Sequence, residues 1–99
     1  MNYQNRFIQC AAVYFQDDQF HTCQPDNIRT GFVIGGKRHN NCYDTARKAH
    51  PGSHIFSHTE GFLTNDNYFV DRKAAYSIAL KAGQIRDKWI KFLFSEDLY

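Results

Sequence analysis

The sequence predicts a small α+β domain, an antiparallel sheet followed by two or three helices. Three observations predict it. The first half carries short β-branched and aromatic runs, and the second half carries apolar residues at helical spacing. Glycine, proline and asparagine punctuate the joins. No internal repeat, low-complexity tract or linker interrupts residues 1–99, so they read as a single domain.

The elements follow in order. Residues 6–15, Arg-Phe-Ile-Gln-Cys-Ala-Ala-Val-Tyr-Phe, suit a strand. Gln16-Asp17-Asp18-Gln19 reads as a hairpin turn, with Phe20 to Cys23 returning. Gln24 to Thr30 holds Pro25, Asp26 and Asn27 and reads as a loop, and Gly31 to Gly35 is the next strand. Asn40 or Asn41 can cap the helix that follows; with Asn41 as cap, Asp44 takes the third helical position. Cys42, Tyr43 and Ala46 form its inner side. It stops at His50-Pro51-Gly52, because the residue before proline avoids helical dihedrals.

Ile55-Phe56 and Gly61 to Leu63 read as extended, Thr64 to Asn67 as a turn, and Tyr68 to Val70 leads out of it. Asp71 caps the clearest helix, Arg72 to Ala82, closed by Gly83, with Ala75, Ile78, Ala79 and Ala82 on one face. Ile85, Trp89, Phe92 and Leu93 keep helical spacing and predict a further helix over Ile85 to Phe94.

Composition narrows the function classes. The formal net charge is +2, with acids and bases interspersed, which disfavours DNA or RNA and suits a small phosphorylated ligand. Nine Phe and six Tyr exceed what so small a core easily hides. Some are expected at an interface or ligand pocket, unless the core is unusually aromatic. Cys10, Cys23 and Cys42 form no C-x-x-C pair, which suits reduced thiols. No apolar run reaches membrane-spanning length, and no secretory signal is read at the start. The expectation is a soluble protein of the cytoplasm.

Two segments carry candidate chemistry. In Gly31-Phe32-Val33-Ile34-Gly35-Gly36-Lys37-Arg38-His39-Asn40-Asn41, a strand runs into two glycines, two cations and a helix start. Helix N-termini favour anions and repel adjacent cations, so the pattern fits a phosphate site or, more plainly, a turn with solvated charges. Gly61 to Arg72 repeats the pattern, with Phe62 and Phe69 flanking an asparagine-rich turn before Arg72 and Lys73. Rings can sandwich a base, amides can read its edge and an Arg fork can grip a phosphate; an ordinary hairpin with core phenylalanines is the alternative. Two such segments point to a pocket for two anionic groups.

Metal and catalytic readings are weaker. His50, His54 and His58 are spaced by four, but Pro51-Gly52 forbids the helix that would align them. His39 and Cys42 lack two further clustered ligands for zinc. His58-Thr59-Glu60 is half of a two-histidine phosphoesterase signature without its mate, and Ser57 beside His58 is no triad. Cys42 and His39 could pair as nucleophile and base, yet nothing marks an acidified thiol. No metal, cofactor or enzymatic activity is expected.

Three stretches stand out together: Gly31 to Cys42, Gly61 to Ala75, and Ala82-Gly83-Gln84 with the terminal Leu93 to Tyr99. In combination they resemble the first Thoeris anti-defence family of bacteriophages. That family consists of small sponges that sequester cyclic ADP-ribose isomers made by defence TIR proteins, without cleaving them. The resemblance implies a ligand with a pyrophosphate, riboses and adenine, bound between the protomers of a homodimer, with higher assemblies in some members, in the cytoplasm of the phage's host. By motif it implies Arg38, His39, Phe62, Asn67, Phe69 and Arg72 as ligand-binding residues. Arg38 and Arg72 would take phosphates, Phe62 or Phe69 would stack on adenine, and Asn67 would meet a base edge or ribose. Phe56 and Arg86 are secondary candidates. Tyr43 to Glu60 matches least. Competing readings are a phosphodiesterase acting on a cyclic nucleotide, using His39 or His58, and a homo-oligomeric interaction module built on the Trp89 to Phe94 stripe.

Overall fold

The run Ile8–Gln16 (β1) has two edges to fill, and two later strands fill them. A computed structural model describes residues 6–85 and 92–98. Its elements are β1, β2 (Phe32–Gly36), α1 (His39–Ala49), β3 (Ser57–Thr64), β4 (Phe69–Asp71) and α2 (Arg72–Lys81), with 3-10 turns at Ser53–Ile55 and Ser95–Asp97. The strands form one antiparallel sheet in the order β2-β1-β3-β4. The α+β expectation is met.

Alternation decides what each face of β1 does. Ala11, Val13 and Phe15 join Phe32 and Phe62 in a core that α1 closes with Cys42 and Ala46 and α2 with Ala75 and Ala79. The small residues Ala11, Ala75 and Ala79 leave no exposed surface, so helix and sheet approach closely. Phe15 stacks on Phe32 at 5.2 Å between ring centroids, and Tyr43 meets Phe15 edge-on at 6.3 Å.

Residues 24–27 reach from β2 to β4, at opposite ends of the strand order. Gln24 accepts the Val33 N–H at 2.8 Å, on the edge of β2 that faces away from β1. Three residues on, Asn27 donates to the Phe69 carbonyl at 2.7 Å and accepts the Phe69 N–H at 2.9 Å. The Tyr14 hydroxyl donates to Thr30 O at 2.7 Å. Gln24 and Asn27 satisfy backbone groups that edge strands otherwise leave open. Asn27→Ala is expected to cost about 1–2 kcal/mol, two ordinary hydrogen bonds. Urea denaturation checks the loss, and light scattering checks for association through the uncovered edge.

The hairpin expected after Gln16 is therefore wrong: Phe20 to Cys23 form no strand, and β1 pairs instead with Phe32–Gly36. Local turn residues say only that the chain turns, while apolar register decides the partner. Ile55 is also corrected. It lies in a 3-10 turn and is exposed, while the strand after it starts at Ser57.

Helix α1 begins two or three residues earlier than expected, with Arg38 as its cap residue. Asn41 occupies the third helical position, where its side chain accepts the Arg38 N–H at 3.1 Å. Asp44 consequently leaves the first turn and pairs with Arg47. The helix ends at His50 as expected. In α2, the Asp71 carboxylate accepts the Ala74 N–H at 2.8 Å, and Gly83 takes φ of 75°. Ala82, expected on the packed face, is exposed. Ile85 and Phe92 to Phe94 are not helical; Arg86, Trp89 and the rest of residues 86–91 lie outside the described residues.

Candidate functional site

Register brings the two glycine–cation segments together. Gly36, Ala11, Phe62 and Val70 form one row across the sheet, and Gly35, Ala12, Gly61 and Asp71 form the next. α1 starts just after Gly36 and α2 starts directly after Asp71, so both helix N-termini flank residues 60–62 of β3. Gly61 is required there. A Cβ on it would lie 2.2 Å from the Val70 carbonyl oxygen and 2.7 Å from the Phe69 ring.

Glu60 is the hub between the helices. Tyr43, from α1, donates its hydroxyl to Glu60 Oε2 at 2.7 Å. Arg72, at the start of α2, donates to Oε1 through one guanidinium nitrogen and to the Leu93 carbonyl at 2.9 Å through another. The Leu93 N–H returns to the Arg72 carbonyl at 3.0 Å, so Arg72 holds the C-terminal segment twice. Its guanidinium carbon lies 4.6 Å from the centre of the Phe94 ring, a cation–π contact. Phe94 keeps 48% of its surface exposed and Phe92 50%.

The electrostatics follow from this geometry. Burial opposes ionisation of Glu60, but the hydrogen bonds from Tyr43 and Arg72 and the charges of Arg72 and His39 outweigh it. They hold the carboxyl below its ordinary value of 4.5. Burial, then the hydrogen bond to Glu60, pushes the Tyr43 hydroxyl well above its usual range. A depressed carboxyl stabilises the fold at pH above its unfolded value and loses that contribution as pH falls through the folded value. Glu60→Gln is therefore expected to flatten the stability–pH profile below about pH 4.5. Thermal unfolding between pH 3 and 7 measures this, the wild type losing more on acidification.

The expected site residues divide between the two faces. His39, Phe62 and Arg72 lie on the helix side, with Arg38 beside them as the α1 cap. His39 is buried; its Nε2 donates to the Gly61 carbonyl at 2.8 Å and its ring meets Phe62 edge-on at 5.2 Å. Phe62 is 0% exposed, so core atoms occupy its ring faces. Asn67 and Phe69 belong elsewhere. Asn67 sits at φ 68° in the β3–β4 turn and donates to Asp26 at 3.1 Å, while Phe69 packs on Tyr14 at 5.7 Å. Phe56 packs edge-on to Phe32, 6.5 Å away.

Sequence reasoning missed Glu60, Tyr43 and Phe94. Tyr43 and Glu60 fall in the stretch with the least motif, and no short-range pattern links them. The one available signal was Tyr43 following His39 by four residues, which sets both on one helix face.

Cys42 points into the core, 3.6 Å from the Ala11 carbonyl oxygen, and burial pushes its thiol up to about 11. A nucleophilic cysteine needs the opposite environment. His50, His54 and His58 lie on a helix end, a 3-10 turn and a strand. Among the described residues no group of three or more His, Cys, Asp or Glu could hold a metal. Nor is any described helix long and apolar enough to cross a membrane.

A family model described as phage T4 y16D protein matches residues 7–99, from just before β1 to the last residue. The chain belongs to this phage protein family. No curated protein and no solved structure matches it. The phage T4 y16D match takes in both helix starts and the whole Glu60 hub.

Proposed function

We propose that this phage-family protein binds a cyclic ADP-ribose isomer and holds it without cleaving it, blocking the signal of a TIR defence system. The observation that carries the reading is the convergence of the two helix N-termini, with Arg38 and Arg72, on the Glu60–Phe62 segment. The positive ends of two helix dipoles and two guanidinium side chains suit the two phosphates of such a ligand. The stretches resembling the Thoeris anti-defence family, Gly31 to Cys42 and Gly61 to Ala75, build these two helix starts.

The base-stacking role moves from Phe62 and Phe69 to Phe94, which is half-exposed beside Arg72. In this reading the site is completed by a second copy, so the protein acts as a homodimer in the host cytoplasm. It needs no cofactor and performs no chemistry.

Incubating the protein with a TIR-generated nucleotide mixture, washing, heating and analysing the released material by mass spectrometry tests the proposal. An intact cyclic ADP-ribose isomer, close to one per site, is the expected result. Linear ADP-ribose in excess over protein would instead make it a hydrolase. Release of no nucleotide would overturn the proposal.

A further inference from the structure

A carboxylate stands between two helix N-termini, where an incoming anion would also go. Glu60 divides its oxygens: Oε2 accepts from the Tyr43 hydroxyl at 2.7 Å and Oε1 from the Arg72 guanidinium. Its side chain keeps 34% of its surface exposed, so solvent protons reach it. The other titratable groups around it come from every neighbouring element. α1 adds His39, whose charge acts on Glu60, and the buried Cys42. Its own strand adds His58, edge-on to Tyr43 at 5.6 Å. Asp71 of β4 spends its carboxylate on the Ala74 N–H, and β1 offers only Val13.

A phosphate on Arg72 changes what Glu60 feels. A guanidinium carries five N–H donors, and among the described residues Arg72 spends one on Glu60 and one on the Leu93 carbonyl. A phosphate that displaces Glu60 takes a donor from its carboxylate. A phosphate that shares the guanidinium puts a like charge beside that carboxylate. Both events favour the protonated carboxyl. The free protein does the reverse, because Tyr43 and Arg72 hold Glu60 below its ordinary value. The two states therefore differ in their hold on one proton.

Resting on the function proposed above, we propose that binding of a cyclic ADP-ribose isomer is coupled to uptake of a proton by Glu60, so that the site grips its ligand more tightly as pH falls. At high pH Glu60 is ionised with or without ligand, and affinity is flat. As pH falls through the bound-state value, the complex takes up a proton that the free protein does not, and affinity rises. Below the free-state value both forms are protonated and affinity levels off. Tyr43 sets the window, since its hydroxyl stabilises the ionised carboxylate in both states. Tyr43→Phe moves the rise to higher pH.

The test is calorimetric titration of the full chain with a purified, TIR-generated cyclic ADP-ribose isomer between pH 5 and 7. Two phosphate-free buffers of different ionisation enthalpy read the protons directly. Net uptake is expected on binding, with affinity rising roughly threefold or more from pH 7 to pH 5. A full unit of difference at Glu60 would give about tenfold. Glu60→Gln should bind at least as tightly at pH 7 and lose that uptake. It keeps His39 and His58, so its difference from the wild type isolates Glu60. Circular dichroism checks its folding, and if it fails to fold, the upward shift in Tyr43→Phe decides instead. Tight binding with the same proton uptake in wild type and Glu60→Gln, or no shift in Tyr43→Phe, would overturn the coupling and leave the proposed function standing. No binding at any pH would overturn both.

Discussion

Phe62→Ala is expected to lower the stability of the protein by about 3–5 kcal/mol, the usual cost of emptying a buried aromatic position. Phe62 is 0% exposed and pairs with Ala11 on one side and Val70 on the other, below both helices. Urea denaturation followed by circular dichroism measures the loss. The result separates packing from recognition. Phe62→Leu keeps an apolar side chain of similar reach and should cost far less, and a ligand that does not stack on Phe62 will bind this variant as it binds the wild type. A folded Phe62→Leu that has lost its ligand would return the ring to the site.

Under the proposed function, Arg72→Ala is expected to weaken cyclic ADP-ribose binding by about 1.5–3 kcal/mol, or roughly 10- to 150-fold, as for loss of a charged hydrogen bond. Isothermal titration calorimetry reads it. In the free protein Glu60 already holds this guanidinium, so an incoming phosphate competes with a carboxylate. Glu60→Gln should consequently shift affinity in the opposite direction, towards tighter binding. Arg72→Lys should recover only part of the loss, since an ammonium cannot span Glu60 and the Leu93 carbonyl as a planar fork does. A folded Arg72→Ala with unchanged affinity would remove Arg72 from the site.

Elements set by local chemistry were legible from the sequence. The α2 helix is bounded by Asp71 and Gly83, whose capping and left-handed roles depend only on their own residue types. Pro51-Gly52 stopped α1 for the same kind of reason. What depended on register was not legible. The Gln16–Gln19 turn gave no hint that β1 would pair with Phe32–Gly36. The polar start of β3, Ser57 to Glu60, gave too little apolar alternation to mark a strand.

The candidate site divides in the same way. Arg38 and Arg72 were marked by their position after glycines or a strand at helix starts. Glu60 acquires its partners only when α1 and α2 are laid on β3, so its role lies in tertiary contacts. Phe62 and Phe69, seven positions apart across a turn, also differ in purpose: one faces the helices and the other Tyr14.

The strand order β2-β1-β3-β4 places the first strand at the centre. During synthesis on the ribosome, the Ala11–Phe15 segment leaves the exit tunnel before either neighbour exists. One flank is protected after Phe32–Gly36 emerges, and the other only after Ser57–Thr64. Until then the nascent chain presents an apolar strand with an open side, which is the kind of segment chaperones hold.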